Sequence, residues 1–138
     1  EKTVILNRHP LMSADYFLSL VGYLEKGGRC KIVLAENGAR SIDAFSPSLL
    51  DLSTIVTLRR LTSHPILVDC SAYDPSYTEH LAIAAIAAGA DGILAEVAGQ
   101  HGNDGLSMHE LKGVMERADA LKYTLNALNH QPCFGNER

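Results

Sequence analysis

The sequence predicts an α/β fold in which four parallel strands alternate with four helices. Three observations support this fold class. Four short runs of apolar, mostly β-branched residues recur at intervals of about 30 residues, the length of one βα unit. A helical pattern follows each run. The runs are apolar throughout, which is typical of parallel strands buried on both faces.

The elements follow one another in regular order along the chain. The predicted strands cover residues 3–6, 31–34, 65–68 and 92–95, and the predicted helices cover 14–26, about 54–61, 77–88 and 108–128. Two serine–glutamate pairs have capping-box spacing and mark the starts of the third and fourth helices: Ser76 with Glu79, and Ser107 with Glu110. The first helix should end at Gly27-Gly28 and the third at Gly89.

Composition limits the kind of protein. With 46% hydrophobic and 20% charged residues, the chain should fold, and no apolar run approaches the roughly 20 residues needed to cross a membrane. A net charge of -4 and scattered basic residues argue against nucleic-acid binding, so we expect a small metabolite or a protein as the partner. Three cysteines without C-x-x-C spacing favour a reducing, cytoplasmic location.

The chain should form one structural unit. We predict a domain over residues 1–129 and an irregular tail over 130–138, because no linker or low-complexity segment divides the sequence. The first 30 residues lack the pattern of a signal peptide. The start at Glu1 rather than Met leaves open that the chain is excised from a longer protein.

Polar residues follow each predicted strand. Parallel strands with covering helices occur both in barrels and in open doubly wound sheets, and periodicity alone does not separate the two. In either architecture the carboxyl ends of the strands carry function. Four polar groups stand there: Asn7-Arg8-His9, Glu36-Asn37-Gly38, Asp69-Cys70-Ser71 and Glu96.

Several segments together resemble one enzyme family. The runs LDLS at 50–53, LTSHPILVD at 61–69 and AAIAAGADGILAEV at 84–97 are similar, in order and spacing, to the last strands of 3-deoxy-7-phosphoheptulonate (DAHP) synthases of the kind related to phospho-octulonate synthase. KTVILNR at 2–8 resembles that family's fifth strand, and IVLAENGAR at 32–40 its sixth. The resemblance covers about residues 2–117 and is specific as a combination, although AAGADG alone occurs in many barrels.

The resemblance implies a fold and a reaction. The expected fold is a parallel (βα)4 unit, strands five to eight of a TIM barrel, rather than the doubly wound alternative. The family condenses phosphoenolpyruvate with erythrose 4-phosphate, using basic residues to hold phosphate and carboxylate and usually a divalent metal to polarise the aldehyde.

The family's phosphate-binding positions are only partly kept. Its fifth strand ends in Lys-Arg-Gly, where this chain has Asn7-Arg8-His9 and so lacks the Lys. Its sixth strand has Glu-Arg-Gly, where Asn37 replaces the Arg. Arg40 matches a second family Arg. The candidate ligand-binding residues are therefore Asn7, Arg8, Asn37 and Arg40, with Arg8 and Arg40 able to share one phosphate; ordinary ion pairs are the alternative for both arginines.

The family's metal ligands are also depleted. Ala72 replaces the His of Asp-Pro-Ser-His, and Ala98 replaces the His of Glu-Val-His, whereas Glu96 is kept. Asp104 matches the Asp of Ser-Asp-Gly, and the family's remaining ligand, a Cys on the first strand, lies outside the matched half. Glu96 and Asp104 could bind a divalent metal with help from His101, but this set is incomplete and we expect no cofactor.

These changes lead to two functional hypotheses. Because each replacement removes a charge or a ligand, the first hypothesis is a synthase-like module without catalysis, used for binding or assembly and able to take a small phosphorylated or carboxylated ligand. The rival is an aldol-type transferase completed by another chain. No catalytic residue is assigned, since Cys70 at a strand end is more often a buried thiol than a nucleophile.

Assembly is predicted from strand number. Four strands curved as in a barrel leave two open edges, and a closed barrel needs about eight. We expect a homodimer whose edges are residues 4–6 and 93–95, or a partner chain that completes the barrel. Flattening into an open sheet would instead leave a monomer.

Overall fold

The computed structural model describes residues 2–28, 30–45, 47–99 and 105–129. All four predicted strands and all four predicted helices are confirmed within a residue or two, and a short two-stranded ladder that was not predicted follows the second strand. The elements are β1 (Lys2–Arg8), α1 (Ala14–Gly27), β2 (Cys30–Glu36), β3 (Ala39–Arg40), β4 (Ser48–Leu49), α2 (Leu52–Leu61), β5 (Ile66–Asp69), α3 (Thr78–Ala87), β6 (Gly92–Leu94) and α4 (Met108–Asn129). The predicted tail at 130–138 lies outside the described residues.

The main sheet has four parallel strands in the order β1-β2-β5-β6. Each strand therefore pairs with the one that precedes it in the sequence. One register line crosses the whole sheet and joins Asn7, Ala35, Leu67 and Gly92. A doubly wound sheet reverses its strand order and carries helices on both faces. The sequential order seen here is that of a barrel segment.

The helices cover one face of the sheet. Side chains of Leu34 and Val68 point toward the helices and are fully buried, and they form one core with Phe17, Ile55 and Leu58. Alternate residues point to the opposite face, where Ile5 is 51% exposed and Val33 and Leu67 are only partly buried. The continuous apolar runs predicted burial on both faces. Within the described residues the helix-covered face is the more completely buried, because the barrel interior to which the other face belongs is not closed, although Ala35 on that other face is also fully buried.

The helix ends show which capping predictions hold. The Ser107–Glu110 capping box is confirmed: Ser107 N donates to Glu110 Oε2 at 2.8 Å, and Glu110 N donates to Ser107 Oγ at 3.2 Å. The hydrogen bond from the Ser107 side chain lowers the pKa of Glu110. Gly28 caps α1 in the left-handed conformation, with φ of 59°.

The Ser76–Glu79 capping prediction is wrong. Ser76 is hydrogen-bonded to Asp74 instead: Ser76 N donates to Asp74 Oδ1 at 2.9 Å, and Ser76 Oγ donates to the same oxygen at 2.6 Å. A 3-10 turn over Pro75–Tyr77 then precedes α3, and Glu79 forms an ion pair with Arg117 on α4. An aspartate two residues before a serine competes for the same backbone donor, which explains the error.

No helix in the described part of the chain is both long and apolar enough to cross a membrane.

Candidate functional site

The carboxyl ends of β1 and β2 are joined by a buried ion pair. Arg8 is 4% exposed and Glu36 is completely buried. Arg8 Nε donates to Glu36 Oε2 at 2.5 Å, and Arg8 Nη2 donates to Glu36 Oε1 at 2.5 Å. Two parallel hydrogen bonds between a guanidinium and a carboxylate fix both side chains in orientation as well as position.

Two further donors of Arg8 are also used within the protein. Arg8 Nη1 donates to the carbonyl oxygen of Met12, and Nη2 donates to the carbonyl oxygen of Gly38 at 2.9 Å. Asp51 Oδ2 lies 3.7 Å from Nη2 and adds a second negative charge. Four of the five N–H donors of an arginine are thereby occupied by protein acceptors.

Burial and pairing act on the two partners in different ways. The hydrogen bond to Glu36 raises the pKa of Arg8, so its charge is permanent. Burial raises the pKa of the Glu36 carboxyl, while the hydrogen bonds from Arg8 and from Gly38 N, at 2.8 Å, oppose that rise. A carboxylate this deeply buried depends on Arg8 for compensation.

A second polar network lies on the open face of the sheet. Asn7 Nδ2 donates to Asp69 Oδ2 at 3.2 Å, across the sheet from β1 to β5. The other Asp69 oxygen, Oδ1, accepts from Ser71 N at 3.0 Å and from Ser71 Oγ at 2.5 Å. Asn7 itself is exposed. The structure thus brings together Asn7 and Asp69 as well as Arg8 and Glu36.

Gly38 holds the turn after β2 in a conformation that other residues avoid. Its φ is +76°, and a Cβ atom at this position would lie 2.2 Å from the Tyr73 hydroxyl and 2.3 Å from the carbonyl oxygen of Leu49. The side-chain atoms Asn37 Oδ1 and Tyr73 OH are buried and make no hydrogen bond within the described residues. Burial raises the pKa of Tyr73 to about 12, so its hydroxyl keeps its proton.

Sequence reasoning missed two contributors to this site. Asp51 precedes α2 and accepts a hydrogen bond from Thr54 N at 2.9 Å, a helix-cap signal readable in the sequence as Asp-x-x-Thr. Tyr73 lies in a loop after β5. Nothing in the sequence marks it, because loop tyrosines are common and the contact with Gly38 is long-range.

The other predicted site residues lie apart from the ion pair. Arg40 is on the short strand β3 with an exposed side chain, whereas Arg8 is buried. Glu96 and Ala72 are both exposed, and Asp104 and His101 lie outside the described residues. Of the family's metal-binding positions, the described residues offer the carboxylate of Glu96 and no donor at Ala72. No three His, Cys, Asp or Glu side chains among the described residues are grouped to share a metal ion.

Cys70 is buried beside the site. It is 2% exposed and lines a cavity of about 130 Å³ together with Tyr73, Thr78 and Glu96. Burial, and then the charge of Asp69, raise the pKa of the Cys70 thiol to about 11. A reactive cysteine needs a lowered pKa and access to solvent, and Cys70 has neither.

We therefore expect Cys70 to resist alkylation in the folded chain. At pH 8 only about one thiol in a thousand would be ionised with a pKa near 11. Iodoacetamide treatment followed by peptide mass mapping should leave Cys70 unmodified under native conditions and modify it in denaturant. Cys30, which is partly exposed, provides the internal comparison. Native labelling of Cys70 faster than Cys30 would contradict this prediction.

Comparison with known proteins identifies the family. The model of the DAHP synthetase I family matches residues 1–131. The chain is 35% identical over 103 residues to the phospho-2-dehydro-3-deoxyheptonate aldolase of Thermotoga maritima, which covers 70% of this chain and 29% of that protein.

Two solved structures share the fold. A truncated form of 3-deoxy-D-arabino-heptulosonate 7-phosphate synthase from Thermotoga maritima has 31% sequence identity and a TM-score of 0.80, covering 90% of this chain and 50% of that one. The DAHP synthase structure from the same organism also has 31% identity and a TM-score of 0.80, with 90% of this chain and 39% of that chain covered.

The chain belongs to the DAHP synthetase I family. Its four parallel strands correspond to a half TIM barrel, which confirms the predicted fold class, and the sheet is open rather than closed. The chain spans less than a third of the curated relative and at most half of the two solved structures.

Proposed function

We propose that this chain is a DAHP synthase-family module that does not catalyse the family's condensation by itself and serves in binding or assembly. The observation that carries the proposal is the state of Arg8. It is the basic residue retained at the end of β1, yet it is buried and bonded to Glu36, Met12 and Gly38. With four of its five N–H donors bonded to protein acceptors, the guanidinium could hold a phosphate through two hydrogen bonds only by breaking one of these buried contacts.

The neighbouring positions support the same proposal. Phosphoryl and carboxylate groups are held by concentrated positive charge in a site that excludes water. Asn7, Asn37 and Ala72 stand where the resemblance implies a Lys, an Arg and a His, and none of them carries a charge. Asn7 is further engaged by Asp69. Arg40 is the exposed cation among the four candidate ligand-binding residues, so any phosphorylated or carboxylated ligand should bind weakly.

The proposal predicts no synthase activity from the purified chain. Loss of one preorganised charge typically costs about 100-fold to 1,000-fold in rate, and several are replaced here. Consumption of phosphoenolpyruvate should be measured with erythrose 4-phosphate, with and without manganese, against a matched Glu96→Gln variant. Metal-dependent consumption that Glu96→Gln abolishes would contradict the proposal and favour the aldol-type transferase.

The proposal also predicts no tight binding of manganese or zinc. Glu96 is the donor that the described residues provide at the family's metal positions, and a single carboxylate is an incomplete set of ligands. Titration calorimetry tests this directly. A dissociation constant in the low micromolar range that is lost in Asp104→Ala would mean that residues 96 and 104 still form a metal site.

A further inference from the structure

We propose that the Gly-Ala-Asp-Gly segment at residues 89–92 belongs to a latch at the amino end of the sheet, whose release lets β6 and α4 open without unfolding the rest of the chain. The latch consists of Arg59, Ile66, Gly89, Asp91 and Lys122. Ile66 is the first residue of β5 and Asp91 directly precedes β6, so the latch lies at the opposite end of the strands from the candidate site. The inference is therefore independent of the proposed function.

Asp91 is joined to the first residue of β5 by two hydrogen bonds. Its N–H donates to the carbonyl oxygen of Ile66 at 2.7 Å, and Ile66 N donates to Asp91 Oδ2 at 2.8 Å. Pairing of the two strands then begins one residue further on, with Leu67 opposite Gly92. The Asp91 side chain thus extends the contact between β5 and β6 toward the amino end of the sheet.

The turn that contains Asp91 is also joined to the last turn of α2. Arg59 Nη2 donates to Asp91 Oδ2, and Arg59 Nε donates to the carbonyl oxygen of Gly89 at 3.0 Å. Both acceptors belong to the turn between α3 and β6. Two hydrogen bonds from one guanidinium fix its orientation as well as its position. The turn before β6 is therefore held by α2 as well as by β5.

A side chain of α4 contacts the same turn. Lys122 donates through Nζ to the carbonyl oxygen of Asp91 at 3.0 Å. The N–H, the carbonyl oxygen and the carboxylate of Asp91 are thus all hydrogen-bonded. Asp91 therefore links α4 to α2 and to β5.

The residues beside Asp91 fix its position. Gly89 turns the chain out of α3 with φ of +107°, and Ala90 is 4% exposed and belongs to the core. A Cβ atom at Gly92 would lie 3.1 Å from Leu67 Cδ2, closer than side chains normally pack. Each residue of the Gly-Ala-Asp-Gly segment therefore has a structural role at this turn.

The carboxylate of Asp91 contributes most of the latch. The side chains of Arg59 and Asp91 are 36% and 37% exposed, and an exposed ion pair adds little to stability. The hydrogen bond from Ile66 N is partly buried, and a hydrogen bond to a charged group is stronger than one between neutral groups. Removing the carboxylate would also leave the Ile66 amide without this acceptor.

Contacts of this kind set the cost of local opening. Proteins open in contiguous cooperative units, and a unit opens more easily when fewer contacts tie it to its neighbours. For β6 and α4 to leave the sheet, the hydrogen bonds of Asp91 to Ile66 and Arg59 must break. Loss of the carboxylate should therefore ease the opening of β6 and α4, and leave unchanged β1 and β2, which the latch does not contact.

Native-state hydrogen exchange of the full chain tests the latch with two matched aspartate variants. Asp91→Ala should speed exchange in β6 and in the middle of α4 by about 10-fold to 100-fold, the effect of losing one charged hydrogen bond. Asp119→Ala removes an exposed aspartate of α4 and should change these rates by less than about threefold. The β1–β2 pair is the internal reference, and its rates should not change in either variant.

Two further variants separate the contacts of the latch. Lys122→Met should speed exchange in α4 while the start of β5 keeps its protection, because Lys122 bonds to the Asp91 carbonyl and Ile66 to the carboxylate. Asp91→Asn keeps an oxygen for Ile66 N and loses the charge, so its effect should lie between that of Asp91→Ala and the unchanged chain. It provides the same measurement if Asp91→Ala does not fold.

Three results would overturn the inference. Faster exchange of the Ile66 amide alone would show that the carboxylate acts only on its nearest neighbour. Equal acceleration in β6, α4 and the β1–β2 pair would show a loss of global stability rather than the release of one unit. Equal effects of the Asp91 and Asp119 variants would show that local opening does not depend on the latch.

Discussion

Replacing Arg8 with methionine is expected to destabilise the chain by about 3–5 kcal/mol, because the substitution leaves the Glu36 carboxyl buried without a compensating charge. The carbonyl oxygens of Met12 and Gly38 would each lose a donor as well. A loss of this size is a large part of the stability of a small domain. Urea unfolding at one fixed protein concentration measures it, since assembly would otherwise shift the midpoint.

The companion substitutions separate pairing from simple loss of a side chain. Arg8→Met combined with Glu36→Met should recover much of the stability, because apolar replacement of both partners removes the uncompensated charge. Arg40→Met, at an exposed arginine, should change stability by no more than about 0.5 kcal/mol. If Arg8→Met keeps full stability but abolishes binding of phosphate or phosphoenolpyruvate, Arg8 is a ligand residue and the structural role is refuted.

Gly38→Ala should destabilise the chain by about 2–5 kcal/mol. Left-handed backbone costs a residue with a Cβ about 1–2 kcal/mol, and crowding in a packed site adds about 1–3 kcal/mol. Here the added Cβ would meet the Tyr73 hydroxyl and the backbone carbonyl of Leu49, and the carbonyl belongs to β4 and cannot rotate away. The turn that receives the Arg8 hydrogen bond would have to move.

Gly28→Ala is the matched control for this substitution. Gly28 also has a left-handed backbone, with φ of +59°, but no atom lies within 4 Å of a Cβ built there. Its substitution should cost only the backbone term of about 1–2 kcal/mol. Thermal and urea unfolding of the two variants compare them directly. Equal losses would show that the contact with Tyr73 and Leu49 contributes nothing.

Secondary structure was largely predictable from sequence because its causes are local. The apolar runs and helical patterns located β1, β2, β5 and β6 and all four helices. The β3–β4 ladder escaped prediction because each strand has two residues, too few to form a pattern. The expected capping box of Ser76 with Glu79 did not form because Asp74, two residues before Ser76, accepts the hydrogen bond from Ser76 N instead. Local side-chain acceptors of similar strength compete for such donors, and the spacing alone does not show which of them binds.

The site was only partly predictable. The sequence indicated that Asn7 and Arg8 stand at a strand end, but the ion pair with Glu36 joins residues on different strands. The alternation of side chains along a strand was an available signal, because residues two apart point to the same face. Arg8 points to the same face as Leu6, whose side chain packs against the helix-side core. Asn7 points to the same open face as Ile5. This alternation would have placed the Arg8 side chain in the protein interior. The contact of Tyr73 with Gly38 depends on a loop path that no periodicity describes.

The sequential strand order also bears on how the chain folds. Each pair of neighbouring strands in the sheet closes a loop of about 30 residues. The first paired residues are Lys2 with Cys30, Leu34 with Ile66, and Leu67 with Gly92. The entropy cost of loop closure therefore differs little from one strand pair to the next, and the contact order stays moderate for a β-containing protein. As in repeat proteins, no single unit is obliged to fold first. Within the described residues β1 and β6 each have one neighbouring strand, so local opening of the chain should begin at these two units and protection against hydrogen exchange should be highest in β2 and β5.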